Sequence, residues 1–500
     1  MKIFHSLCLA ALVLASGCRL RSQEVSNEFE LQAQSRADLL ATDVARYERD
    51  CVDSAPRSDG CLGLAQTLDL MGRELETAGQ TDTAISAMRR AMSLWEKMEL
   101  DEEADSSQAK DYVGICMKLA QTIGVQDPQA SSLLETARVK IQSLRQAHPK
   151  DSSIAHLAVS VWREVGDLHV RANSNQLALE FHIQSAGLLD SLAKMHPTDS
   201  TLNAQRFQAW ELAYRDLETI GAMENSADVA HKALAASRVA RALDKSDPPN
   251  SVLMEQELNA LNWITLAHAS AKTWNLADKE QREAVELARK LFSADPSDRR
   301  RRMLLADAWM RSADFDCRLD RKNQGKAAYM ALPVFVDSFP EDPWAYSTKS
   351  KAFADLVECV DPPAEQLDYA RQAAKWADLE SQGSPSQDLE NALGTLSWHA
   401  LVNRQPTLAD SAARQGLALA DRRGMLESAR WMELNLAHAL LDQGKTAEAV
   451  DIYLTLGPKT SWSDNSKTYA WFIEDDFKQL EKAGFTHPDF AKVRSALKQR

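Results

Sequence analysis

The stretch AHPKDSSIAHLAVSVWREVGDLHV, residues 147–170, contains the pattern on which the fold prediction rests. Pro149 disfavours helix in the residue before it, and Asp151 and Ser152 supply the side chains that cap helix N-termini. Apolar residues then recur at helical spacing, and Trp162 stands 13 residues after Pro149. This order predicts an amphipathic helix that begins just after the proline joint.

The same joint recurs along the chain. Its first prolines are Pro149, Pro197, Pro248, Pro296, Pro340 and Pro385, at intervals of 48, 51, 48, 44 and 45 residues. Each joint is followed by a large aromatic residue: Trp162, Trp210, Trp263, Trp309, Phe353 and Trp398. A period in this range, with two helical patterns in each unit, is typical of a solenoid of helix pairs. We expect these aromatic side chains to belong to the core rather than to a ligand site.

Smaller motifs within the units resemble tetratricopeptide repeats. Trp162, Val165-Gly166 and Ala178 fall where that family places a large residue, a Leu-Gly pair and a small residue. Corresponding sets occur in an earlier and a later unit: Leu68, Met71-Gly72, Leu75, Gly79, Ala84, Met88 and Ala91, and then Leu436-Ala437, Leu440, Gly444, Ala449 and Tyr453. The longer period is similar to the extended repeats beside bacterial serine/threonine kinase domains.

The resemblance implies an all-α, right-handed superhelical solenoid of about nine helix pairs with capping helices at both ends. We expect the solenoid over residues 61–457. An N-terminal capping helix and loop should occupy residues 28–60, and a C-terminal helical cap residues 458–500. Pro333 falls within the second helix of the sixth pair, where proline should kink or interrupt it.

The N-terminus reads MKIFHSLCLAALVLASGCRLRSQ, with an apolar run that suits a signal peptide and is too short to span a bilayer. LASGC at residues 14–18 resembles a bacterial lipobox, which implies cleavage before Cys18 and a lipid on its thiol. We therefore expect a signal peptide over 1–17 and a tether over 18–27. Arg19 follows the cysteine where aspartate would imply inner-membrane retention, so the resemblance implies a periplasm-facing outer-membrane lipoprotein. The alternatives are ordinary signal-peptide cleavage and an uncleaved buried helix.

Five of the seven cysteines lie beyond the lipobox. Cys51 and Cys61 flank the turn-forming stretch VDSAPRSDG and are the first candidate disulfide, because an exported chain meets an oxidising compartment. Cys317 and Cys359, on first helices of neighbouring units, are a weaker candidate. The alternative is unpaired thiols, and an odd number leaves at least one cysteine without a partner in the chain.

Composition and motifs argue against several classes of function. The net charge is −14 and the pI about 5.4, whereas nucleic-acid binding depends on an excess of Lys and Arg. The sequence contains no HExxH, GxSxG, GxxxxGK[ST] or CxxC motif, and no kinase HRD or DFG motif. No histidines in the cluster from His148 to His196 share one helix face at i, i+4. We expect no enzyme, no metal site and no cofactor.

The resemblance also implies where a partner binds. In tetratricopeptide proteins the residue after the large aromatic, and its neighbour one turn later, tend to face a concave groove lined by the first helices. The candidate contacts on that basis are Arg163, Asp167, Glu211, Arg215, Met310 and Asp314. They mix both charges with an apolar side chain, which suits a peptide or helix. The alternative for each residue is a solvated helix position.

The favoured function is a non-catalytic protein–protein interaction scaffold that supports assembly of a surface or secretion complex, attached to the membrane only by its lipid. An alternative is a glycan-binding lipoprotein beside an outer-membrane transporter. Such proteins usually carry long loops rich in Gly, Asn and aromatic residues, which this chain lacks. An enzyme with an irregular helical site is a third class, and it requires polar residues clustered in a deep pocket.

We expect the substitution Cys18→Ala to release the protein into the soluble fraction, because the lipid is its only expected attachment. A single acyl chain binds membranes only marginally, so stable attachment needs the several chains of a mature lipoprotein. Cell fractionation with labelled palmitate measures both effects. Equal palmitate incorporation in the wild type and the variant would show that the lipid is not on Cys18.

Overall fold

The structure is a computed structural model that describes residues 30–52, 55, 58–98, 106–124, 126–246, 250–339, 342, 344–461 and 467–498. Within these ranges the chain is helical, apart from turns and one isolated bridge between Thr460 and Thr468. The predicted all-α class is therefore confirmed. The predicted signal peptide, the predicted tether and Cys18 lie outside the described residues.

The chain forms two compact units, and the first ends at Trp263. Its helices are α1 (30–52), α2 (Asp59–Thr77), α3 (Thr81–Lys97), α4 (Ser106–Ile123), α5 (Pro128–Ala147), α6 (Ser152–Arg171), α7 (Asn175–Met195), α8 (Ser200–Thr219) and α9 (Ala227–Leu243). The helix α10 (Ser251–Ser270) contains the boundary.

The second unit begins at Ile264 and continues to the C-terminus. Its helices after α10 are α11 (Trp274–Ala294), α12 (Arg299–Arg318), α13 (Lys322–Val336), α14 (Trp344–Cys359), α15 (Pro363–Ser381), α16 (Gln387–Val402), α17 (Pro406–Arg423), α18 (Leu426–Asp442), α19 (Thr446–Leu456), α20 (Tyr469–Lys482) and α21 (Phe490–Lys498). From α2 to α19 the described helices match nine predicted pairs, with even-numbered first helices and odd-numbered second helices. The additional helices α1, α20 and α21 lie where caps were expected.

The proline joints act through helix capping. In three joints an aspartate stands two residues after the proline and accepts a hydrogen bond from a backbone N–H in the first turn of the next helix. These aspartates are Asp151, Asp199 and Asp298, which begin α6, α8 and α12. Such a cap contributes about 0.5–2 kcal/mol to helix stability. The joint therefore fixes where each first helix begins.

The aromatic series is partly core. Trp162 and Trp210 are 5% and 2% exposed, as predicted for core residues. Trp263 is half-buried and stacks on Phe207 and Tyr214. The later members Trp309, Phe353 and Trp398 are also half-buried, at the edges of the hydrophobic clusters of the second unit. Core packing therefore accounts fully for the first two and in part for the others.

Glycine allows a second helix to approach its first helix closely. A Cβ atom at Gly72 would lie 2.7 Å from the Cγ of Met88, and one at Gly166 would lie 2.4 Å from the Nε2 of His182. Both distances are too short for non-bonded atoms. These two glycines stand at the family's glycine offset, and the structure supplies the steric reason for them.

Pro333 does not interrupt α13, so that part of the prediction is wrong. The helix continues through the proline and ends at Val336, three residues later. Proline lacks the N–H that would bond to the carbonyl oxygen four residues earlier, so it removes a single hydrogen bond from the helix. The helix therefore tolerates the loss of one N–H donor there.

Two disulfides link neighbouring helices. Cys51 at the end of α1 is bonded to Cys61 in α2, with Cα atoms 4.6 Å apart. Cys317 in α12 is bonded to Cys359 in α14, with Cα atoms 5.2 Å apart. These are the two pairs proposed from the sequence. Cys116 is buried without a disulfide, and burial raises the pKa of its thiol to about 12.

We expect Gly325→Ala to destabilise the second unit by about 1–3 kcal/mol, as overpacking does elsewhere. A Cβ atom there would lie 2.4 Å from the Sγ of Cys317 and 2.8 Å from the carbonyl oxygen of Ala313. Denaturant unfolding followed by circular dichroism measures the change, and non-reducing peptide mapping shows whether the Cys317–Cys359 bond still forms.

The matched control is Gly187→Ala, because nothing lies within 4 Å of a Cβ atom at that helical glycine. Alanine there should stabilise by about 0.5–1 kcal/mol through its higher helix propensity. If both variants shift the free energy of unfolding in the same direction and by the same amount, the short contacts at Gly325 do not determine the effect of alanine at that position.

Candidate functional site

Two clefts lie between consecutive first helices, one within each compact unit. The α6–α8 cleft has a volume of about 190 Å³ and is lined by His156, Val159, Ser160, Arg163, Ser185, Leu189, Gln205, Gln208, Ala209 and Leu212. The α12–α14 cleft has a volume of about 420 Å³ and is lined by Asp307, Met310, Arg311, Asp314, Arg318 and Asp355.

The structure places three of the six predicted contacts in these clefts. Arg163 lines the first cleft, and Met310 and Asp314 line the second. The other three, Asp167, Glu211 and Arg215, lie on α6 and α8 but do not line the cleft. Each of them takes part in an ion pair instead.

The α6–α8 cleft has a buried floor and a polar rim. Ser185, Leu189 and Ala209 form buried parts of the floor, whereas the side chains of His156, Gln205 and Gln208 on the rim are exposed. Two hydroxyls are already used as donors: Ser160 donates to the carbonyl oxygen of His156 at 3.3 Å, and Ser185 to that of Val159 at 3.2 Å. Their lone pairs are still available as acceptors.

The carboxylates beside this cleft are held by other cations. Glu211 accepts a hydrogen bond of 2.6 Å from Arg215, four residues further along α8. Asp167 lies 3.5 Å from the Nε2 of His182. By contrast, Arg163 is exposed and forms no hydrogen bond or ion pair with any residue that the structure describes.

His182 forms the centre of a buried ionic contact among three helices. It lies on α7 with 1% exposure, and its Nδ1 is 2.6 Å from an oxygen of Asp216 on α8. Burial by itself lowers the pKa of the imidazole, but the two carboxylates, Asp167 at 3.5 Å and Asp216 at 2.6 Å, outweigh burial and raise the pKa to about 9. His182 is therefore an imidazolium at neutral pH and connects α6 to α8.

This role of His182 is not apparent from the sequence, in which the spacing of the histidines bears only on metal binding. One signal was present: Gly166 stands at the family's glycine offset, and its missing side chain provides the space that His182 fills. Nothing local relates His182 to Asp216, which is 34 residues further along the chain. Among the described residues, no group of three or more His, Cys, Asp or Glu side chains is placed to hold a metal ion.

The α12–α14 cleft is acidic. Asp314 pairs with Arg318 at 2.8 Å, and the Arg318 guanidinium lies 4.9 Å from the centre of the Trp274 ring. Asp355 is solvent-exposed at the cleft, yet surrounding protein removes much of its hydration. This desolvation, followed by repulsion from Asp314, raises the pKa of Asp355 to about 6. The two clefts thus differ in charge.

Two further observations bear on the site. Trp471 on α20 is 47% exposed, and the ammonium of Lys467 lies 3.8 Å from its ring centre, whereas Trp462 lies outside the described residues. Within the part of the chain that the structure describes, no helix has the length and hydropathy needed to cross a bilayer.

No protein-family model and no curated protein matches the chain. Among solved structures, it is similar to BtubC from P. vanneervenii at 13% identity and a TM-score of 0.39, covering 53% of this chain and 94% of that one. It is also similar to the apo quorum sensor NprR from B. thuringiensis, at 10% identity and a TM-score of 0.35, covering 78% of this chain and 99% of that one. A tetratricopeptide repeat protein from Parabacteroides merdae matches at 10% identity and a TM-score of 0.31, covering 65% of this chain and 99% of that one. The structural neighbours thus include tetratricopeptide repeat proteins.

We expect His182→Gln to lower the free energy of unfolding at pH 7 by about 2 kcal/mol, because it removes the cation between two carboxylates. The raised pKa means that this stabilisation is complete below the unfolded-state value of about 6.5 and is lost as the pH rises through about 9. Urea unfolding from pH 6 to 10 should therefore show wild type and variant converging at high pH. A gap that stays constant across this range would contradict an ionic role.

Proposed function

We propose that the chain is a non-catalytic scaffold that binds a protein or peptide partner across its first helices. One observation carries the proposal: each compact unit has a cleft between consecutive first helices, the face to which the tetratricopeptide resemblance assigns partner binding. Three of the residues selected from the sequence for that face, Arg163, Met310 and Asp314, line those clefts.

The chemistry of the clefts favours binding over turnover. In the α6–α8 cleft the hydroxyls of Ser160 and Ser185 donate to backbone carbonyl oxygens, an arrangement that does not activate a nucleophile. In the α12–α14 cleft Asp314 is neutralised by Arg318, as in a structural ion pair. Polar groups spread along successive helices provide many weak contacts to an extended partner or helix.

We further propose that the scaffold acts in the bacterial envelope, held on the periplasmic side of the outer membrane by a lipid on Cys18. The two disulfides support export, because such bonds persist in oxidising compartments such as the periplasm. Assembly of a surface or secretion complex is the process that this location and a partner-binding face suit best.

The test is crosslinking in isolated envelopes followed by mass spectrometry, with the double variant Arg163→Glu, Arg215→Glu. Reversing both charges should reduce capture of the partner that the wild type crosslinks, while the melting temperature changes little because both side chains are exposed. The control is Arg171→Glu with Lys194→Glu, two exposed residues of the same unit that are not among the predicted partner contacts. This control variant changes the net charge by the same amount as the double variant Arg163→Glu, Arg215→Glu.

Equal capture by the wild type and the double variant would place the interface elsewhere, and the C-terminal segment around Trp471 would be examined next. A carbohydrate array run on the same proteins addresses the glycan alternative. Glycan binding that the double variant abolishes and the control retains would replace the protein scaffold as the function of this face.

A further inference from the structure

The α6–α8 cleft contains an unpaired cation and no acid. Its described lining includes Arg163, His156 and two glutamines, but neither aspartate nor glutamate. Elsewhere in the same unit, arginines such as Arg138 and Arg206 are paired with carboxylates. The whole chain carries a net charge of −14, so a cleft lined by a guanidinium and by no carboxylate differs in charge from the chain as a whole.

Two carboxylates on the helices that flank the cleft, Asp167 on α6 and Glu211 on α8, face cations other than Arg163. Asp167 stands one turn after Arg163, where an i, i+4 ion pair is expected. The buried His182 faces that carboxylate and joins it to Asp216 instead. Glu211 on α8 is held by Arg215. The ionic contacts around the cleft therefore leave the guanidinium free to bind a group from outside the chain.

We propose that the α6–α8 cleft binds the carboxylate of a glutamate or aspartate side chain on the protein partner. This inference rests on the proposed scaffold function and names the chemistry that the site recognises. The guanidinium of Arg163 donates paired hydrogen bonds to the carboxylate, the arrangement in which Arg recognises carboxylates most strongly. The exposed amides of Gln205 and Gln208 supply further N–H donors on the opposite helix.

The dimensions and lining support a side chain as the ligand. A volume of about 190 Å³ is below the range of about 300–1,000 Å³ in which drug-sized ligands bind. Leu189 and Ala209 at the floor offer apolar contact to the methylene groups of a glutamate. No Phe, Tyr or Trp side chain lies among the described lining residues, so the cleft lacks the large aromatic side chains on which sugar rings stack.

The experiment measures fluorescence anisotropy of labelled twelve-residue peptides with the purified full chain at low salt. The first probe alternates Glu and Ala and has blocked termini, and the second replaces every Glu by Gln. The third is the Gln peptide with a free C-terminal carboxylate, which separates a terminal carboxylate from an acidic side chain. The protein variants are Arg163→Glu, Arg163→Lys and Arg171→Glu, the last being the control at an exposed position of α6 outside the cleft.

The Glu peptide should bind at least about tenfold more tightly than the Gln peptide, the ratio given by one charge-assisted contact. Arg163→Glu should remove that preference, Arg163→Lys should retain part of it, and Arg171→Glu should leave it unchanged. Circular dichroism melting of each variant shows whether it is folded.

Three results would overturn the inference. They are equal binding of the Glu and Gln peptides, absence of binding by the Glu peptide at about 1 mM, and a Glu preference that survives Arg163→Glu. Preference for the third peptide over the first would identify a chain terminus instead of an acidic side chain as the ligand, and would also overturn it. If the Glu peptide shows no preferential binding while the envelope crosslinks still depend on Arg163 and Arg215, the scaffold function stands. Only the acidic ligand is then excluded.

Discussion

The close contact between each first helix and the second helix that follows it is the constraint on which the repeats depend. A helix pair buries its apolar stripe only when the two backbones come near, and a side chain in the contact would hold them apart. Glycine at positions 72, 166 and 325 removes that side chain. The neighbouring helix fills the space with Met88, His182 and the Cys317 sulfur respectively. The same backbone requirement is thus met with an apolar, an ionic and a covalent group.

The side chain that fills the space beside each of these glycines also determines how one helix pair connects to the next. His182 reaches Asp216 on α8, and Cys317 on α12 is bonded to Cys359 on α14. Near the C-terminus His438 contacts the Tyr453 hydroxyl at 2.7 Å and Asp476 on α20 at 3.1 Å. Apolar burial alone would link successive pairs without distinguishing one register from another. Polar and covalent contacts of this kind specify which side chains must meet.

The helices were predictable because their signals are local. A proline joint, a capping aspartate two residues later and an aromatic side chain 13 residues after the proline all lie within one helix and its cap, as at Pro149, Asp151 and Trp162. The helix offsets within a repeat also placed Arg163, Met310 and Asp314 on the clefts. By contrast, the role of His182 depends on three helices meeting, and no short stretch of sequence encodes that. The half-burial of Trp309 likewise depends on its neighbours in space.

The Cys51–Cys61 bond has a mechanical consequence. The face of α1 that packs on the array contains the buried Ala33, Ala37 and Val44 and the half-buried Leu40 and Tyr47. A force applied to the chain before α1 would separate this helix from the array one turn at a time. The bond joins the last turn of α1 to α2, so a force on α1 is transmitted through the Cys51–Cys61 bond into a helix packed among the repeats. For a chain held by a lipid on Cys18, as proposed above, the bond reinforces the end at which tension would enter.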